Sequence, residues 1–179
     1  PTAPGDQTSA SKLPPTGPLS IELGRDLADS LRPLLGAKLE ALREQIFTDL
    51  GIELPAIPVR TREDVRASLL PQAYTLVLHD VPAYRGELAA VDDRAAACAL
   101  LTSRLDTLIR RHASTLLGLQ DTQALLDGLH KSAPALVQAV VPRPVSLKLL
   151  ADVLRGLLAE GVSIRGLGQI LEMLAASHF

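Results

Sequence analysis

An apolar face on a helix has to be buried against something, and residues 142–179 carry two such faces in immediate succession. Leu147–Ala159 and residues 164–175 flank the tetrapeptide Glu160-Gly161-Val162-Ser163, in which Gly stops a helix and Ser starts one. In the first segment Leu149, Leu150, Val153, Leu154, Leu157 and Leu158 recur at three- and four-residue spacing. In the second, Ile164, Leu167, Ile170, Leu171 and Leu174 do the same. The pattern predicts a helix, a tight turn and a helix, and both helices need partners upstream.

The 179 residues suffice for a core, since 47% are hydrophobic. Only 2% are aromatic and none is Trp, so that core consists of Leu, Val, Ile and Ala, a set that favours helices. Strands are fewer. Leu19, Ile21 and Leu23 alternate up to Gly24, residues 74–78 form a second convincing strand and residues 83–88 a third, with His79-Asp80-Val81-Pro82 as the hairpin connection. Pro55 and Pro58 lead into another short strand. A helical stretch starts at Arg25 with an interruption near Pro33 and Gly36, and a stronger one over residues 37–50 aligns Leu39, Leu42, Ile46 and Leu50 before Gly51. Residues 94–117 read as the longest helical run, carrying Leu101, Leu105, Leu108, Ile109, His112 and Leu116 at helical spacing. Gln120-Asp121-Thr122 opens another helix through Leu129, and a short one spans residues 133–140. The expected fold is α+β and helix-rich. A flexible Pro-rich linker (1–18) precedes a small α/β subdomain (19–90), and an all-helical subdomain (91–179) ends in the helix-turn-helix-like pair.

A helix-turn-helix invites a DNA-binding reading. Such a second helix presents Arg, Lys, Asn or Gln to base edges, with further cations for phosphates. Here Arg165 and Gln169 are followed by Glu172, while Lys148 and Arg155 are offset by Asp152 and Glu160. The formal net charge is −2, so bulk electrostatics do not favour nucleic acid or an anionic membrane. DNA binding stands as the alternative function.

Chemistry is harder to find. His79-Asp80 could belong to a small metal hydrolase, but it falls where a surface turn is expected and no second His-rich motif adds ligands. Cys98 and His112 lie roughly 21 Å apart along one helix at 1.5 Å per residue, too far for a nucleophile and its base. Cys98 reads as a small core residue. It is the only cysteine, which excludes an internal disulfide and fits a reducing compartment. Arg110-Arg111-His112 could meet an anion or form a solvated helix face. No P-loop, dinucleotide fingerprint, G-x-S-x-G or C-x-x-C occurs. The expectation is no enzyme: no catalytic residue, no cofactor and no metal.

A different lead comes from the terminal helices themselves. Val153-Leu154-Arg155, Leu157-Leu158, Glu160, Val162, Ile164-Arg165, Leu167, Ile170-Leu171-Glu172 and Leu174-Ala175 form a long ungapped run. It resembles the signature of the FHIPEP family, the flagellar and injectisome export-gate proteins of type III secretion. YTLVLHDVPAYRGEL and LIRRHASTLLGLQDTQALLDGL are similar to further family segments. Gly166 departs from the pattern, standing where the family has Asp. Gly86-Glu87-Leu88 is followed almost at once by Val91-Asp92, where the family inserts a further α/β subdomain, and after Ala175 the family continues into another subdomain.

The resemblance implies the cytoplasmic domain of a protein-secretion export gate. That means a homo-oligomeric ring that receives export substrates and chaperones and works with other export-apparatus proteins. It implies no nucleic acid, and attachment to the membrane only through an N-terminal half. The expected location is the cytoplasmic face of the bacterial inner membrane, this portion being soluble. Arg155, Glu160, Arg165 and Glu172 match family positions, and with no catalytic use for them they are expected to make contacts between subdomains or ring subunits.

Overall fold

Alternation of Leu19, Ile21 and Leu23 toward one side makes β1 (Leu19–Leu23) a half-core strand, and the sheet assembles around it. The computed structural model describes residues 17–61, 72–88 and 93–176; residues 1–16 of the expected linker and the Val91-Asp92 motif lie outside the described residues. Strand β2 (Val59–Thr61) runs parallel to β1 on one side, entering directly after Pro58, whose carbonyl accepts from Ile21 N–H at 2.9 Å. Strand β3 (Ala73–Leu78) lies antiparallel on the other side, and β4 (Val81–Glu87) lies beyond it, in the order β2-β1-β3-β4. The third expected strand thus starts two residues earlier than its pattern suggests. Its hairpin turn is only His79-Asp80, with φ of 48° and 62°. Both central residues of a type I′ turn need positive φ, and Asp and His adopt it more readily than most side chains. Pro82 sits on the edge strand, where a missing N–H costs no ladder bond to a further strand.

Gly86 has a packing reason. It registers opposite Tyr74, and a Cβ there would lie 2.7 Å from the Tyr74 ring, so the buried ring lies against bare backbone. Burial pushes the Tyr74 phenol up to about 12 from 10.0, Tyr84 beside it adds to the shift and Arg104 opposes it. Folding therefore favours the protonated phenol. That contribution is intact below pH 10 and is lost as pH rises through 12, because the unfolded chain ionises first. The expected loss is on the order of 2 kcal/mol. Urea denaturation of the parent and Tyr74→Phe across that range checks it: the Phe variant should show the smaller fall.

The first helix corrects an expectation. Instead of breaking near Pro33 and Gly36, α1 runs unbroken over Arg25–Leu50, 26 residues with Pro33 inside, and is longer than the 94–117 run. Both breakers lie on the solvent side, while Leu31, Leu35, Leu39, Leu42, Ile46 and Leu50 form a continuous buried face. Burial of that face outweighs the local cost, which for Pro in a helix is about 3 kcal/mol. The chain leaves α1 through Gly51 at φ 82°, whose N–H bonds the Phe47 carbonyl.

The 94–117 run is itself divided. Helix α2 (Arg94–Arg111) starts with the Asp93 side chain accepting from Ala95 N–H at 2.8 Å. It ends at His112, whose N–H is shared between the Leu108 and Ile109 carbonyls, and a one-turn α3 (Ala113–Leu116) follows. Helix α4 (Leu119–Ser132) is opened by Asp121, whose carboxylate accepts from Gly118 N–H at 2.7 Å. Helix α5 (Pro134–Val140) leads to α6 (Leu147–Ala159), capped by Ser146 accepting from Leu149 N–H. Gly161 at φ 74° closes α6, with its N–H on the Leu158 carbonyl and that of Val162 on Leu157, the two bonds of a Schellman motif.

The last helix, α7 (Leu167–Ala176), begins three residues later than expected, because Ile164 is buried in non-helical chain and donates to the Leu50 carbonyl. The two terminal helices are not chiefly partners of each other: α6 packs on α3 and α4, and α7 mainly on α5 with a smaller contact on α4. Helix α1 packs on α2, and a single cluster of buried side chains runs from Leu19 in the sheet to Leu171 in α7.

Candidate functional site

The four charged residues singled out in the sequence divide into two kinds. Arg165 and Arg155 are tied to backbone. Arg165 donates from Nη1 to the Thr48 carbonyl at 3.0 Å, in the last turn of α1, and its guanidinium lies 5.9 Å from the centre of the Phe47 ring. With Gly51 N–H on Phe47 and Ile164 N–H on Leu50, the turn at 163–165 satisfies carbonyls that the end of α1 cannot satisfy itself. No basic residue stands in α1's own last turn, so Arg165 brings a cation to that negative end from elsewhere in the chain. Gly51 makes room for it, since a Cβ there would meet the Arg165 nitrogen at 2.7 Å. Arg155 donates from Nε to the Leu117 carbonyl at 2.9 Å and pairs with Asp152 at 3.3 Å, fastening α6 to the α3–α4 connection. Both arginines thus make contacts within the chain. Glu160 and Glu172 are exposed, and among the described residues neither carboxylate has a side-chain partner.

One clamp has only half a signal in the sequence. Arg110 places Nη2 at 2.6 Å from Asp49 and Nε at 2.9 Å from Asp106, joining the end of α1 to α2. Its hydrogen bond to Asp49 raises its pKa against the opposing effect of burial. Asp106 and Arg110 stand at i,i+4, a spacing open to inspection; Asp49 is distant in sequence and gives none. The Arg110-Arg111-His112 cluster is therefore partly a structural tie.

A groove of 530 Å³ opens between the 52–55 loop, the hairpin turn and α3–α4, lined by Pro18, Arg43, Leu54, His79, Leu117 and Asp121 among others. His79 Nε2 lies 3.2 Å from the Thr115 carbonyl, and Arg43 donates from Nε to the Leu54 carbonyl. Cys98 is fully buried, which raises its thiol pKa. Among the described residues no three His, Cys, Asp or Glu side chains gather in a metal-binding group, and no helix is long and apolar enough to cross a membrane. What the surface offers is contact: Phe47, Val81, Leu119, Val162 and Met173 are all exposed apolar side chains.

Comparison with known proteins turns this arrangement into a family assignment. The sequence model of the FHIPEP family matches residues 91–178. Protein hrpC2 of Xanthomonas euvesicatoria is 35% identical over 158 residues, which are 88% of this chain and 23% of that protein. The chain belongs to the FHIPEP family. Its fold is that of solved type III secretion proteins. The Chlamydia pneumoniae CdsV protein superposes with a TM-score of 0.80 at 22% identity, over 93% of this chain and 61% of that one. The nonameric EscV cytosolic domain from the type III secretion system superposes with 0.67 at 20%, over 93% and 60%. The chain therefore spans about a quarter of its curated FHIPEP relative and three fifths of these solved chains. The 158 aligned positions make up 88% of this chain, so that match crosses the short connection after Leu88 with essentially nothing inserted.

Gly166 precedes α7, and its carbonyl accepts from Ile170 N–H. A Cβ there would meet only Gln169 Oε1, at 3.4 Å. Gly166→Asp is expected to fit and to stabilise by about 0.3–1 kcal/mol through the helix N-terminus, read as a higher urea midpoint with an unchanged slope.

Proposed function

We propose that this chain is part of the cytoplasmic domain of a type III secretion export gate, assembling as a homo-oligomeric ring at the inner membrane. The ring receives export substrates and their chaperones alongside other export-apparatus proteins. The observation that carries this reading is the fold shared over 93% of the chain with a domain solved as a nonamer in that system. No catalytic step belongs to this portion, which works through surfaces. DNA binding loses its cation: Arg165 is engaged by Thr48 and Phe47, and the exposed Glu172 on α7 would repel phosphate.

Sedimentation of the chain from micromolar to millimolar concentration, with electron microscopy of the concentrated sample, tests the ring. Self-association into closed multimers is the expected result; a chain monomeric throughout would overturn it. Titration calorimetry with a cognate chaperone–substrate complex tests reception. Heat at micromolar complex supports it, and none up to millimolar, where binding is worth only about −4 kcal/mol, removes it.

A further inference from the structure

Strand β4 ends the sheet, and among the described residues nothing pairs with its outer side. The direction of its amides follows from its partners. Leu88 N–H bonds the Gln72 carbonyl, and the register continues Ala73 to Glu87, Tyr74 to Gly86, Thr75 to Arg85. In an antiparallel ladder, backbone groups point alternately to one neighbour and the other. Leu88, Gly86 and Tyr84 therefore face β3, while Arg85 and Glu87 turn both N–H and C=O to the open edge. Their side chains are exposed, and neither takes part in a hydrogen bond or ion pair among the described residues. Toward the hairpin, Pro82 has no N–H to offer, so the usable edge is short and centred on Gly86.

A strand added here antiparallel, with its own Gly86 opposite Gly86, would set Arg85 against Glu87 and Glu87 against Arg85. Those are the residues whose amides face outward, so each opposed pair would exchange two backbone hydrogen bonds and also join opposite charges. Any other centre breaks this match. One residue of slip turns the wrong amides outward, and two place Arg opposite Arg or Glu opposite Glu. Exposed edges ordinarily carry charge to repel a second strand; this one is complementary to itself under a two-fold axis. We propose that the outer edge of β4 is a docking surface for a second copy of this chain, joined antiparallel about Gly86 through Arg85 and Glu87.

Such a contact is isologous and stops at two copies, whereas a ring is closed by heterologous contacts. The two associations are separable. Arg85→Glu makes the edge wholly acidic and Glu87→Arg wholly basic, so by sedimentation equilibrium each variant alone should dimerise at least tenfold more weakly than the parent. An equimolar mixture of the two should recover the parent affinity as a heterodimer. Concentrating the parent should also slow hydrogen exchange at the Arg85 and Glu87 amides. Both side chains are exposed, so equal melting temperatures of parent and variants would confirm that folding is intact. A parent that never dimerises, variants that dimerise as the parent does, or a mixture no tighter than its components would overturn the proposal. Rings that form equally well in both variants, with dimers as tight as those of the parent, would leave the ring reading standing and remove this one.

Discussion

Leu154→Ala and Leu171→Ala are each expected to lower the unfolding free energy by about 2–5 kcal/mol, the cost of deleting a fully buried Leu side chain. Both residues are completely inaccessible, one on α6 and one on α7. Both helices touch α4, but their main supports differ, α3 for α6 and α5 for α7, so the losses should largely add. For a domain of this size each corresponds to roughly 4–20 °C in Tm. Thermal and urea unfolding of both single variants and the double variant measure this. Single variants melting within a degree of the parent, or a double variant no worse than either single one, would contradict the packing described.

Gly51→Ala carries the second large effect. At φ 82° a Cβ costs about 1–2 kcal/mol, and here it would also collide with the Arg165 backbone nitrogen. That nitrogen belongs to the 163–165 turn and moves only if the whole turn moves. Overpacking of this sort adds about 1–3 kcal/mol. Arg165→Ala, by contrast, removes one hydrogen bond to Thr48 and the contact with Phe47, and should cost only about 1–2 kcal/mol. The order Gly51→Ala well above Arg165→Ala is the expected result in chemical denaturation; the reverse order would mean that the side chain, not the close backbone approach, holds the turn.

These two sites show what a linear pattern can reveal. The apolar faces that carry Leu154 and Leu171 are periodic, and periodicity is local, so both are legible in the amino-acid sequence. Helix α6 is equally plain, with Ser146 and Gly161 marking its ends. The start of α7 is not. Ile164 fits the helical spacing, yet its N–H goes to the Leu50 carbonyl, and nothing in a sequence marks a backbone oxygen so far away along the chain. Arg155 and Arg165 stand out as charged positions, but their acceptors are the carbonyls of Leu117 and Thr48, which bear no side-chain signature. Pro33 misleads for the opposite reason: a local rule against helix is overridden by a buried face that continues on both sides of it. The family signature supplies what periodicity cannot, a reading of function for residues that carry no chemistry of their own.

Helix α1 is about 39 Å long at 1.5 Å per residue. Its leading end lies against the strands and its trailing end is gripped by the turn at 163–165 and by the Asp49–Arg110–Asp106 clamp. It acts as a beam fixed at both supports. With its ends tied, a displacement of α7 is expected to reach the sheet as a shear of packed elements rather than as a swing about a free joint. The expected weak point of the beam is its outer side at Pro33, where the backbone has one fewer bond holding successive turns together.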